Sequence, residues 1–159
     1  MTLVVNSGPL ISLARIGQLE LLPALFDDIV LPRGVFEEVT QDPKLPGAEA
    51  IAGAEWLRVV EILDREAVER LTTSLDEGES QVLALAQELE ATAAIDERRG
   101  RRLAASLGVP QTGTVGILLL AKRRGLIPVL TPLLDQLGAK GIHLSPRLYE
   151  EARGLAGET

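Results

Sequence analysis

The chain has 159 residues, the length of one domain that can bury most of an apolar core, and 46% of them are hydrophobic. It has no cysteine and a single histidine, His143, which excludes disulfides, thiol catalysis, cysteine-based zinc sites and histidine clusters as metal sites. Any metal must therefore be held by oxygen, which favours Mg²⁺ or Mn²⁺, and the net charge of −7 argues against simple non-specific binding to polyanions.

Short apolar runs alternate with helical patterns along the whole chain. Strands are predicted at residues 3–5, 29–31, 56–60 and 91–95, with a short one near Val109. Helices are predicted at residues 10–26, 33–41, 64–71, 77–89, 98–108 and 114–125. Such alternation favours an α/β fold, a parallel sheet with helices on both faces in a three-layer α/β/α sandwich. We expect a single domain over residues 1–159 with a helical extension from about residue 128, whose last helix begins at Ser145-Pro146 with the serine as N-cap.

Polar side chains follow two of the predicted strands, at the positions where open parallel sheets gather their ligands. Asn6 follows the first strand, in VVNSGPL, and Asp96 follows the strand that ends ATAAI. An aspartate at the first position would suggest a metal site at once, whereas the neutral amide leaves its role open. Asp96 has a second interpretation as a helix N-cap, for which aspartate is among the best residues, and Glu97 beside it could share a functional role.

Glu79 lies at the head of an apolar stripe. With about 100° per residue, it falls on the same helix face as Val82, Leu83 and Ala86. A carboxylate in that position needs a partner or a function, because burial of an unpaired charge is costly. The alternative is that the dipole of the helix N-terminus favours its charge.

The other glutamates are separated by the same periodicity. Glu38 lies at the flank of the core face of its helix, from which it can reach a cleft, whereas Glu37 is expected to be solvated. Glu77 points away from the Glu79 stripe and forms a plausible capping box with Ser74.

Basic residues are concentrated in two short runs, although acidic residues are spread along the chain. The runs either contact the phosphates of RNA or form solvated helix faces, and the candidates are Arg98, Arg101, Arg102, Lys122 and Arg123. Between the runs, Thr112-Gly113-Thr114 opens a predicted helix and could hold a phosphate, although capping by threonine explains it almost as well. Aromatic residues make up only 3% of the chain, so stacking of bases on aromatic side chains is not expected.

Four candidates therefore lie at strand ends or on helices far apart in the sequence: Asn6, Glu38, Glu79 and Asp96. A doubly wound sheet could bring them to one edge. Carboxylates that meet there repel each other unless a divalent cation is bound. The chemistry that such a site supports is metal-assisted hydrolysis of a phosphodiester.

Five stretches that cover nearly the whole chain carry a resemblance to a known family. They are VVNSGPLISLARIGQLELLPALF, VLPRGVFEEV, LDEGESQVLALA, AAIDERRGRRLAASLGVPQTGTVGILLLAKRRGLIP and PLLDQLGAKGIHLSPRLYEEARGLAGE. The sequence resembles the PIN-domain superfamily, in particular a bacterial and archaeal branch that is often linked to toxin–antitoxin systems. The resemblance implies a Rossmann-like sheet of about five parallel strands and a ribonuclease site that depends on Mg²⁺ or Mn²⁺. The acidic positions of that site fall on Glu38, Glu79 and Asp96, and Asn6, assisted by Ser7, stands where the family has its first aspartate.

The resemblance further implies RNA as substrate, a homodimer and, as for relatives that act as toxins, a small antitoxin partner. Because Asn6 removes a charge from the metal site, the second hypothesis is a catalytically weak or silent relative that binds RNA or a protein partner. A third hypothesis, an α/β protein that binds a small nucleotide, is opposed by the lack of a Gly-rich phosphate loop. The sequence shows no secretory signal pattern and no run long enough to span a membrane, so a cytoplasmic location is expected.

Overall fold

A parallel sheet of five strands forms the centre of the protein, which a computed structural model describes over residues 1–159. The strand order is β3-β2-β1-β4-β5, with β1 Thr2–Val5, β2 Asp28–Pro32, β3 Leu57–Val60, β4 Thr92–Ala94 and β5 Gln111–Thr112. Leu3 of β1 is aligned with Ile29 of β2 on one side and with Thr92 of β4 on the other. The strand order therefore reverses between β1 and β4, which is the position where open α/β sheets bind their ligands.

Ten helices connect and cover the strands. They are α1 Ser7–Arg15, α2 Leu21–Leu25, α3 Arg33–Thr40, α4 Ala48–Ala52, α5 Arg65–Leu71, α6 Glu77–Leu89, α7 Arg98–Ser106, α8 Thr114–Arg123, α9 Thr131–Ala139 and α10 Pro146–Leu155. Helix α6 packs on β1, β2 and β4, and α1 packs against α8. The protein thus has the three-layer α/β architecture with a five-stranded parallel sheet that the sequence predicts.

The first predicted helix differs most from the structure. It is two helices, because Gly17 adopts a left-handed conformation (φ +68°) that ends α1, and the chain starts again at α2. Helix α1 also begins at Ser7 rather than at Leu10, since Pro9 lies in the first turn, where a missing N–H costs nothing. The fifth strand begins at Gln111, two residues after Val109, and α4 was not predicted.

Apolar residues from the strands and from the inner faces of the helices form one core. On α6, Val82 and Leu83 are fully buried and Ala86 is 1% exposed, which confirms the predicted orientation of this stripe. Glu79 lies one turn earlier on the same face, so the packing of α6 carries its carboxylate into the protein.

Glu158 anchors the end of the chain to α8 and α9 through hydrogen bonds and an ion pair. Its carboxylate accepts the N–H of Leu130 at 2.7 Å, and the N–H and hydroxyl of Thr131 at 2.8 and 2.7 Å. Lys122 Nζ lies 2.9 Å from the same carboxylate. These bonds lower the pKa of Glu158 to about 2, and the bond from the Leu130 N–H has the largest effect.

None of the ten helices is both long and apolar enough to cross a lipid bilayer.

Candidate metal and nucleic-acid site

Three side-chain oxygens from separate parts of the chain surround Gly78 at the start of α6. Asn6 Oδ1, Glu38 Oε2 and Asp76 Oδ1 each lie 3.7 Å from the point that a Cβ on Gly78 would occupy. Asn6 comes from the end of β1, where its N–H donates to the Ala94 carbonyl of β4 at 3.0 Å. The absence of a side chain at Gly78 keeps the space between these oxygens free, and we call this group of three oxygens the Gly78 centre.

The side chains of the Gly78 centre differ in exposure. Asn6 is 7% exposed and makes no capping hydrogen bond to α1, so its amide is free for another role. Glu38 is exposed on the flank of α3, the orientation that the helical periodicity predicts. The structure therefore brings Asn6 and Glu38 to one place, although they lie 32 positions apart in the sequence.

Glu79 and Asp76 form the capping box of α6. The Glu79 N–H donates to Asp76 Oδ1 at 2.8 Å, and the Asp76 N–H donates to Glu79 Oε2 at 3.4 Å. The predicted capping box of Ser74 and Glu77 is therefore wrong, because α6 begins at Glu77 and its N-cap is Asp76. Glu77 instead accepts a hydrogen bond from Gln81 at 2.9 Å.

The second carboxylate oxygen of Glu79 has no hydrogen-bond partner. Glu79 is 6% exposed, and its buried Oε1 lies 3.5 Å from the point that a Cβ on Gly100 would occupy. Burial raises the pKa of Glu79, and the negative charges of Asp76 and Glu97 raise it further. A buried, unsatisfied carboxylate oxygen among like charges is the environment that a bound cation would stabilise.

Asp96 lies at the end of β4 but caps α8 rather than the helix that follows it. Its Oδ1 accepts the N–H of Thr114 at 2.7 Å, and its Oδ2 accepts the hydroxyl of Thr114 at 2.7 Å. Gly8 and Gly113 allow this close packing. A Cβ on Gly8 would lie 3.4 Å from the carboxylate, and a Cβ on Gly113 would lie 2.8 Å from it. The interpretation of Asp96 as N-cap of its own helix is wrong, because α7 begins at Arg98 and its N-cap is Glu97.

The acidic side chains lie near each other without forming a closed chelating group. No three Asp, Glu or His side chains approach closely enough to hold one ion. Asn6, Glu38 and Asp76 share the Gly78 centre, Glu79 is bonded to Asp76, and Asp96 lies against Gly8 next to the end of β1. Oxygen donors of this kind fit a hard cation such as Mg²⁺ in their chemistry.

Asp76 was not among the candidates from the sequence. The pattern that could have identified it is an aspartate three positions before Glu79, the spacing of a capping box. As the N-cap of α6, Asp76 is held at the same edge of the sheet as Asn6.

The basic residues divide into two groups. Arg98, Arg101 and Arg102 of α7 border a groove of about 460 Å³ that reaches Asp96, and we call it the arginine groove. Lys122 and Arg123 lie at the other end of α8, about 12 to 14 Å along the helix from Thr114. Thr114 at the start of α8 is bonded to Asp96 beyond the carboxyl end of β4, so the helix carries Lys122 and Arg123 towards the opposite edge of the sheet.

The amide and carboxylate oxygens lie at the switch point of the parallel sheet, where open α/β sheets bind their ligands. The sequence model of a family described as a PIN domain matches residues 2–158 of the chain. The chain therefore belongs to the PIN-domain family. No protein with a curated description matches it.

Proposed function

We propose that the protein is a ribonuclease of the PIN type that depends on Mg²⁺ or Mn²⁺. The observation that carries this proposal is the Gly78 centre, in which Asn6, Glu38 and Asp76 place oxygens 3.7 Å from one point at the start of α6, the helix that also carries the buried carboxylate of Glu79. Carboxylates that lie near each other repel, and a divalent cation offsets that repulsion.

Asn6, Glu38, Glu79 and Asp96 would hold the metal after their side chains move closer together around it, with Asp76 and Glu97 as further carboxylates nearby. A bound metal would lower the pKa of a water and offset the charge on the phosphate under attack. Glu79 would remain ionised next to the cation, while Thr114 holds the Asp96 carboxylate in one orientation. The amide of Asn6 is a weaker ligand than a carboxylate, so we expect slow cleavage.

RNA would bind along α7 through the phosphates. Arg98, Arg101 and Arg102 border the groove that leads to Asp96, which supports phosphate binding next to the metal. Ser7 follows Asn6 in the first turn of α1, and Thr112 lies at the end of β5, so both are at the same edge of the sheet. Both donors of Thr114 are bonded to Asp96, so Thr114 would act on RNA through the position of that carboxylate.

Lys122 and Arg123 lie away from this proposed RNA path. They lie at the far end of α8, and the Lys122 ammonium is paired with Glu158. Their predicted phosphate contacts would need a second RNA segment at the opposite edge of the sheet.

A role as the toxin of a toxin–antitoxin pair would add a small antitoxin partner and a homodimer. The resemblance in sequence supports this part of the proposal. The same resemblance supports a single domain over residues 1–159 that ends in the helices α9 and α10. A small neighbouring gene that encodes an antitoxin-like protein would favour the toxin role.

A second candidate function is RNA binding without cleavage. Two observations favour it: Asn6 supplies an amide in place of a carboxylate, and both oxygens of Asp96 are already bonded to Thr114. The amide removes one negative charge from the site, and the two hydrogen bonds leave fewer lone pairs of Asp96 free for a metal.

Cleavage of a mixed RNA pool tests which function is present. Asn6→Asp restores the charge and should raise cleavage in Mn²⁺, because a further carboxylate helps when a cation is there to be shared. The double variant Asn6→Asp/Glu79→Gln is the control and should lose that gain. Equal cleavage by the two variants would identify a contaminating nuclease and remove the support for an enzyme.

A further inference from the structure

A cavity of about 320 Å³ opens next to Asp96, between the start of α8 and the connection from α9 to α10. Its apolar wall includes Val115, Leu119, Ile142 and Leu144, all of which are half-buried, and the rest of its lining is mostly polar. Its volume lies at the lower end of the range for small-ligand pockets, about 300–1,000 Å³. The cavity is therefore large enough for one small group, and we call it the Val115 cavity.

The Val115 cavity and the arginine groove share a wall. Asp96, Arg101, Gln111 and Leu148 line both. Arg101 donates to the Gln111 side chain at 2.7 Å, which holds the wall in one position. A strand of RNA could thus place a phosphate on the arginines and the adjoining base in the cavity, with Asp96 at the junction.

We propose that the Val115 cavity binds one unstacked base of single-stranded RNA whose phosphates lie in the arginine groove. This inference rests on the proposed RNA-cleaving or RNA-binding function and adds to it a site for one base. A base within a duplex cannot leave its stack to enter a cavity without losing its pairing, whereas a base in a loop or a single strand can.

The chemistry of the walls fits a base. A base presents two apolar faces to aliphatic side chains, and its edge carries donors and acceptors. The Gln111 amide, the Thr112 hydroxyl and the His143 imidazole also line the cavity and can meet that edge. Phosphate contacts carry no sequence information, so this cavity gives the protein a preference at one nucleotide.

Affinity for RNA in EDTA tests the assignment without metal or cleavage. The probe is a fluorescein-labelled single-stranded RNA of eight nucleotides, and the dissociation constant is measured by anisotropy. Val115→Phe fills the cavity and should weaken binding at least about fivefold, which corresponds to the loss of about 1 kcal/mol of contacts between the base and the cavity. The matched control is Leu120→Phe, which adds the same ring to a half-buried position of α8 outside the cavity and should change affinity less than twofold.

A scan with abasic nucleotides makes the test specific for a base. For the unmodified protein, removal of the base at one position of the RNA should weaken binding by about the same factor as the Val115→Phe substitution does. For the Val115→Phe variant, removal of that base should not weaken binding further, because the cavity is already closed to the base. If Val115→Phe fails to fold, Leu144→Trp closes the cavity from the α9–α10 connection and has the same expected results.

Three outcomes would overturn the assignment. If Val115→Phe or Leu144→Trp binds RNA as the control does, the base lies elsewhere and only the cavity proposal fails. If closing the cavity leaves RNA affinity unchanged but alters sedimentation, the cavity belongs to an interface between copies of the chain. If the unmodified protein binds no RNA at all, the proposed function fails together with this inference.

Discussion

Asp96 and Thr114 are joined by two hydrogen bonds of 2.7 Å, one from the backbone N–H and one from the hydroxyl of the threonine. The pair ties the end of β4 to the start of α8 and uses both oxygens of the carboxylate. Because β4 lies next to β1, this link fixes Asp96 at the edge of the sheet where Asn6 lies. Thr114 is therefore a positioning residue for the candidate site.

Replacement of Thr114 by valine removes the hydroxyl and keeps the shape of the side chain. We expect Thr114→Val to lower the free energy of unfolding by about 1–2 kcal/mol, because Asp96 loses one charge-assisted hydrogen bond. Thr114→Ser keeps the hydroxyl and should restore most of the metal affinity lost in the valine variant. Urea denaturation and Mn²⁺ titration of both variants check this, and equal Mn²⁺ affinities for valine and serine would contradict the positioning role.

The two basic groups should differ in their effect on RNA. Reversal of Arg98, Arg101 and Arg102 to glutamate should weaken binding to all RNA sequences alike and lower the slope of log K against log salt by about 2. The control is Arg123→Glu/Arg124→Glu, which changes exposed charges at the far end of α8 and should leave the slope nearly unchanged. Fluorescence titrations between 50 and 200 mM salt, roughly the range over which such slopes are measured, separate the two. Equal slopes for the two variants would remove α7 from the RNA path.

The fold could be predicted because its strands are short apolar runs between helices with a clear periodicity. Periodicity also gave the orientation of Glu79 and Glu38, since each depends on one helix only. The partner of Asp96 could not be predicted, because Thr114 lies 18 positions later and the contact requires β4 and β5 to be neighbours. Lys122 lies apart from the arginines of α7 for a related reason: the two basic runs are close in sequence, but a ten-residue helix carries the second to the other edge of the sheet.

The stabilising effect of the Glu158 carboxylate should depend on pH. Its pKa of about 2 in the folded protein lies below the ordinary value of 4.5, so its bonds stabilise the fold above pH 4.5 and lose that effect as pH falls towards 2. Glu158→Gln should therefore lower the Tm at pH 7, and the difference from the unmodified protein should shrink below pH 4.5. Circular dichroism at pH 7, 5, 4 and 3 measures it, with Glu151→Gln, an exposed carboxylate of α10, as control. A difference in Tm that stays constant down to pH 3 would show that the charge of Glu158 is not the cause.

When no metal is bound, the charge of Glu79 should lower the stability of the fold, whereas the charge of Glu158 raises it. Burial raises its pKa, so the folded protein binds this proton more tightly than the unfolded chain does, and the charge destabilises the fold above pH 4.5. In EDTA at pH 8, Glu79→Gln should raise the Tm by about 2–4 °C, the shift that about 1 kcal/mol produces in a domain of this size. Glu88→Gln, which changes an exposed carboxylate of the same helix, should leave the Tm unchanged. A lower Tm for Glu79→Gln would mean that its carboxylate is well paired in the absence of metal.

Calorimetric titration with Mn²⁺ tests the metal site most directly. We expect the unmodified protein to bind one Mn²⁺ with a Kd in the millimolar range or tighter. Asn6→Asp should bind about tenfold more tightly and Glu79→Gln about tenfold more weakly, a change of about 1.4 kcal/mol in each direction. No heat of binding at millimolar Mn²⁺, or the same affinity in all three proteins, would contradict a metal centre formed by Asn6, Glu38, Glu79 and Asp96.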